Sequence, residues 1–120
     1  SASCSGAVNV YQSFAGQPAG WYAVCGTSES SPLFAGVVAL ADQVAGHRLG
    51  LINPALYRLA AAHAPGLVSI RSGNTTVSFR QGGRKRTVRG FSARAGYNLA
   101  TGLGTINAQL FVPELARAAR

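Results

Sequence analysis

Apolar and polar positions along the chain change period several times, and each change marks an element. Between Ala7 and Gln12, Val8 and Val10 alternate with Asn9 and Tyr11, the two-residue period of a half-buried strand. The loop FAGQPAG, dense in glycine and proline, leads to a second short strand, Trp21 to Val24, whose apolar run predicts burial. Two strands joined by so short a loop make a sheet edge. After a Gly26-Thr27-Ser28 turn the period lengthens. Leu33, Val37, Leu40 and Val44 recur at helical spacing, with Ser31 as cap, Pro32 at the first helical position and Gly46 as the stop. Ala35, Gly36, Ala39 and Ala41 keep the other faces small, which predicts close packing on several sides and a central, buried helix.

A second helix is expected from Asn53 and Pro54, again a cap followed by proline, with Leu56, Tyr57, Leu59 and Ala60 as its apolar side. Pro65 and Gly66 stop it, and His63 near its last turn reads as a complement to the helix dipole. The period then shortens again through LVSI, TTVSF and TVRGF. Val77 and Phe79 fall on one face and Thr76 and Ser78 on the other, and Gly82-Gly83 signals a hairpin. A glycine-punctuated loop follows. Asn107 is then placed to cap a final helix carrying Leu110, Phe111, Leu115 and Ala118, with Pro113 starting a new turn or kinking it.

Composition narrows the class. At 120 residues the chain is read as a single segment, 1–120, and no apolar run approaches the ~18 to 20 residues of a membrane span. Eleven Lys and Arg against three acids give a net charge of +8. Five of those cations crowd into Arg80 to Arg89 while the rest are scattered singly, so the cluster reads as a solvated basic hairpin, and nucleic acid is not the expected partner. Cys4 and Cys25, an even pair, form a disulfide or remain two thiols, and neither has zinc-ligand spacing. The opening SASCSGAVNV has neither a basic nor an apolar leader region, and the chain contains no methionine, so its start reads as a cut with partners upstream.

The candidate chemistry centres on Ser28. A serine nucleophile needs a base, an oxyanion site and a fixed position, and a strand-to-helix turn supplies the last. Glu29, Asp42, Glu114, His47 and His63 are the available bases, and no spacing compels any of them to pair with Ser28. Spacing alone leaves Ser28 as either a turn serine or a nucleophile.

GTSESSP, Gly26 to Pro32, has the form G-T-S-x-x-x-P and resembles the nucleophile motif of the sedolisin family of serine-carboxyl peptidases. GWYAV before it, and LINPALYRLA and GYNLATGLGTIN after it, resemble that family in order and spacing. Subtilisins share the Gly-Thr-Ser core but usually carry His after the motif proline, where this chain has Leu33. The resemblance implies an α/β chain, the C-terminal segment of a subtilisin-like fold. Strands would flank a buried central helix that follows the nucleophile turn, with the basic hairpin added. It makes Ser28 the nucleophile and Gly26 and Thr27 the residues that shape its turn.

The family's glutamate base, its supporting aspartate and its oxyanion aspartate all precede the nucleophile, and nothing before Ser28 here is acidic. The implied partner is therefore an upstream peptidase segment carrying Glu and Asp, the implied substrate a peptide or protein, and the implied setting acidic and secreted or extracytoplasmic. The family's calcium site would fall at Ser69, Ile70, Arg94, Gly96 and Asn98. Both carboxylates are replaced there, so a weak or empty site is expected, with Arg71 or Arg94 bonding the loop carbonyls in place of the ion. That loss, and Cys25 where the family usually has glycine, also fit an alternative: a non-catalytic module that binds an anionic partner through Arg80 to Arg89.

Overall fold

A computed structural model describes residues 6–119. In order these form β1 (Val8–Gln12), β2 (Gly20–Val24), α1 (Thr27–Ala45), α2 (Asn53–Ala61), β3 (Leu67–Val68), β4 (Val77–Gln81), β5 (Arg84–Val88), β6 (Thr105–Ile106) and α3 (Ala108–Ala118). The strands pair antiparallel as three two-stranded sheets, β1–β2, β3–β6 and β4–β5. The chain divides into two compact units, one closing at Leu40 and the other opening at Ala41.

In the first unit the register Val8↔Val24 and Val10↔Tyr22 puts these four side chains on one face of the β1–β2 ribbon. On the other face the cross-strand pair Tyr11 and Trp21 meets edge to face, with ring centroids 5.5 Å apart. Trp21 is 72% exposed, so β2 is not the buried strand its composition predicts. A two-stranded ribbon has two faces, and the Tyr11–Trp21 face stands open.

Helix α1 also departs from expectation, starting at Thr27 rather than at Pro32. Gly26, at φ +128°, turns the chain, and the Glu29 N–H closes the first turn onto the Gly26 carbonyl at 3.2 Å. The helix is therefore under way before Ser31 can cap it. Pro32 becomes its sixth residue, where it has no N–H for the Ser28 carbonyl. The C-terminal end is as expected: Gly46, at φ +75°, follows the last residue and donates to the Asp42 carbonyl at 3.0 Å. Only Ala41 of α1 is buried among the described residues, while Leu33, Leu40 and Val44 are all more than half exposed. Helical spacing marks an apolar stripe, but a stripe is buried only where another layer lies on it.

The second unit holds the core, Ala41, Leu49, Ala55, Leu59, Phe111, Leu115 and Ala116. Helix α2 takes Pro54 in its first turn, but its cap residue is Ile52 with no side-chain bond, so Asn53 is helical and does not cap. Ala55 and Leu59 are its buried positions, and Tyr57, expected on the apolar side, is exposed. At the other end the Ala64 N–H bonds the Leu59 carbonyl at 3.0 Å and the His63 N–H bonds the Ala60 carbonyl at 3.1 Å. This is a Schellman closure with His63, φ 51°, in the left-handed position usually held by glycine. His63 thus lies just past the last turn of the helix, near its C-terminal end as expected. Asn107 does cap α3, but through its backbone, accepting from Phe111 N–H at 2.8 Å with no side-chain bond. Pro113 lies inside α3 and starts no new turn.

Gly66 joins the α2–β3 connection to α3. Its N–H donates to Glu114 Oε2 at 3.0 Å, and its carbonyl accepts from Asn107 N–H at 2.9 Å. A Cβ at Gly66 would stand 2.6 Å from the Phe111 Cα. Beyond β3, the β4–β5 hairpin turns through Gly82 and Gly83 at φ 57° and 74°, the double left-handed turn of a two-residue loop. Every residue of both strands is exposed.

Gly66→Ala should destabilise the chain by about 3 kcal/mol, the upper range for overpacking, because the contact is backbone that cannot rotate away. Urea unfolding checks this, with the midpoint expected to fall and the slope to stay unchanged.

Candidate functional site

The nucleophile candidate is set by the turn that starts α1. Ser28 is the second residue of the helix and is exposed. A Cβ built on Gly26 would lie 3.7 Å from the Ser28 Oγ, so space does not require the glycine; its φ of +128° does. The N–H groups of Thr27 and Ser28 belong to the first turn, where helical donors have no intrahelical acceptor and the dipole is positive. Ser28 and Glu29 line a groove of about 320 Å³ with Val8, Val10, Val24 and Leu33. The apolar face of the β1–β2 ribbon forms one side and the opening turns of α1 the other.

Glu29 therefore shares the groove with Ser28. Consecutive helical residues diverge by about 100°, enough for both to flank one groove without facing each other. Among the described residues no hydrogen bond reaches the Ser28 hydroxyl. The other carboxylates are occupied by backbone: Asp42 Oδ1 accepts from Leu49 N–H at 2.9 Å, and Glu114 Oε2 from Gly66 N–H. His47 Nδ1 bonds the Arg48 carbonyl at 3.0 Å, and His63 is exposed at its left-handed cap. Cys25, next to Gly26, is disulfide-bonded and not a free thiol. Cys4, the other cysteine of the two alternatives, lies outside the described residues.

At the five positions where the resemblance would put calcium, the side chains make a different arrangement. Asn98, 3% exposed, donates through Nδ2 to the carbonyls of Arg94 at 2.9 Å and Gly96 at 3.3 Å. Its Oδ1 accepts from Ala100 N–H at 3.1 Å, Thr101 N–H at 2.9 Å and the Thr101 hydroxyl at 3.0 Å. The donor to the loop carbonyls is thus this amide, not the expected arginine guanidinium. Ser69 and Gly96 line a separate cavity of about 590 Å³ together with Arg71, His63 and two tyrosines. The Ser69 Oγ is buried there without a partner, and Ile70 offers only an alkyl side chain. No group of three or more His, Cys, Asp or Glu residues among those described is placed to hold a metal. One orphaned hydroxyl and a carboxamide oxygen already bonded three times do not fit an ion that takes six to eight oxygens.

The Asn98 network is the site feature that the residue pattern left unread. Its signal was Asn98 three residues ahead of Thr101, a spacing that suits a side-chain-closed turn.

Over 86 residues, 68% of its length, the chain is 33% identical to tripeptidyl-peptidase 1 of Dictyostelium discoideum. The chain is a distant relative of a peptidase. It spans 13% of that protein's length. No family model matches the chain, and no solved structure matches it. No helix among the described residues is long and apolar enough to cross a membrane.

A serine without a hydrogen-bonded base keeps its proton and is a weak nucleophile. Incubated alone with a serine-directed fluorophosphonate, the chain should show no covalent adduct at Ser28 by intact mass. An adduct there would reveal a base supplied by this chain.

Proposed function

We propose that this chain is the nucleophile-bearing segment of a sedolisin-like serine-carboxyl peptidase, the C-terminal part of a subtilisin-like catalytic domain. The observation that carries the reading is the exposed Ser28 hydroxyl, held in the first turn after left-handed Gly26 and opening on an apolar groove. The relation to a peptidase supports it. Ser28 Oγ attacks the substrate's peptide carbonyl while its proton passes to a glutamate of the preceding segment. The tetrahedral oxyanion forms beside the N–H groups at the start of α1; it collapses to an acyl-enzyme as the C–N bond breaks and the glutamic acid returns its proton to the departing amine, and water then hydrolyses the ester to free Ser28. Val8, Val10, Val24 and Leu33 give a side chain of the peptide an apolar seat. No step needs calcium, and the setting is extracytoplasmic.

In the protein that includes the preceding segment, Ser28→Ala should lower kcat by at least about 1000-fold with an unchanged melting temperature. The wild-type rate should peak in acid. It should fall below about pH 4, where a carboxylate base becomes protonated. Full activity in Ser28→Ala would end the proposal.

A second reading rests on the β4–β5 hairpin. Its register sets Arg80 directly opposite Lys85 and Phe79 opposite Arg86, all exposed. Like charges placed opposite each other on a ribbon are destabilising, and a bound anion relieves them. Under this reading the chain is a non-catalytic module for an anionic glycan. Heparin should then bind with an affinity that falls steeply with salt and is lost in Arg80→Ser/Lys85→Ser, whereas salt-independent behaviour removes it.

A further inference from the structure

We infer that the Asn98 carboxamide does a cation's work in the loop from Arg94 to Thr101, making this part of the fold independent of metal. An oxygen in place of its nitrogen would leave both carbonyls facing an acceptor and create a need for an ion. The backbone N–H groups of Ala100 and Thr101 only donate, so the side-chain atom facing them is the oxygen. The carbonyls of Arg94 and Gly96 only accept, so the atom facing them is the nitrogen. The amide cannot be flipped without opposing donor to donor and acceptor to acceptor.

Two carbonyls that converge on one buried point need a donor or a cation between them. The two hydrogens of Nδ2 meet that need from a covalently attached group at 3% exposure, so no ion has to be recruited. The rest of the loop depends on this residue. Asn98 and Gly102 exchange backbone bonds at 2.8 and 3.2 Å, and Gly104 N–H donates to the Thr101 carbonyl at 2.9 Å. The electrostatic setting agrees. From Gln43 to Pro113 the sequence contains no Asp or Glu, Arg94 belongs to the loop itself, and Arg71 lines one cavity with Ala95 and Gly96, so the local charge is positive and not the carboxylate setting that calcium prefers.

The test is differential scanning calorimetry of the full chain, wild type and Asn98→Asp, each in excess EDTA and in millimolar calcium at neutral pH. Wild-type scans should superimpose, and titration of calcium into the wild type should give no saturable heat. Asn98→Asp puts an oxygen against both carbonyls. In EDTA its melting temperature should fall by more than about 5 °C, and calcium should recover much of the loss. Failure of Asn98→Asp to fold in EDTA with folding restored by calcium is the same result in stronger form. A wild-type melting temperature that rises with calcium overturns the inference, as does an Asn98→Asp scan in EDTA that matches wild type. If Asn98→Asp folds in neither condition, the claimed ion dependence of the variant is wrong, and the wild-type scans still decide metal independence. These measurements do not involve Ser28, so their failure is distinct from failure of the peptidase reading.

Discussion

A strand or helix is stabilised by the layer that lies on it, and this chain supplies few layers. Among the described residues all three sheets have two strands, so each of those strands is an edge. Buried apolar residues among those described are confined to one helix pair, α2 and α3, with Ala41 and Leu49 beside them in the core. Trp21, Leu33, Leu40, Val44 and Tyr57 are all more than half exposed. At roughly 25 cal/mol per Å² of apolar surface, such side chains forgo most of the 1.5–3 kcal/mol each that burial would bring. Covering layers are the limiting quantity, and other features of the fold can be understood as responses to their shortage.

Where packing is thin, backbone and amide chemistry fix the geometry instead. Gly26 turns the chain into α1, His63 closes α2 by occupying a left-handed position, and Gly66 admits α3 against the preceding connection. Asn98 does the same for the long loop before β6, bonding five groups from one side chain. Each device is local and short-range, so each holds its turn without a thick core. This also explains why a chain with modest burial presents Ser28 in a defined position: the presentation depends on one dihedral angle and one 3.2 Å bond, not on layers above it.

The same division governs what was legible in the residues. Turns coded by glycine were read directly: Gly46 ends α1, and Gly82-Gly83 close the β4–β5 hairpin, because a left-handed dihedral leaves a nearly unique mark. Caps were misread for one reason in two places. Ser31-Pro32 and Asn53-Pro54 both look like cap-then-proline, yet Ser31 and Pro32 lie inside α1 and Ile52 rather than Asn53 precedes α2. Proline fixes its own φ but does not choose between the first helical turn and the second, and Gly26 had already started the helix. Burial was the least legible property. The stripe Leu33, Leu40 and Val44 was correctly periodic, but a sequence does not state what covers a stripe. The Asn98 network was hidden for another reason: one asparagine among glycines looks like an ordinary loop until its five partners are placed around it.

The distribution of carboxylates bears most on function. The chain has three carboxylate side chains. Asp42 and Glu114 each accept a backbone N–H that lies in or beside the core, and removing either would leave that donor unpaired at a cost of about 1–3 kcal/mol. Both side chains are engaged in holding the backbone. Glu29 remains, in the first turn of α1, where a negative charge is favoured by the helix dipole and no hydrogen bond links it to Ser28. The hydroxyl and its mount therefore belong to this chain, while among the described residues none of its carboxylates is hydrogen-bonded to Ser28 to take its proton.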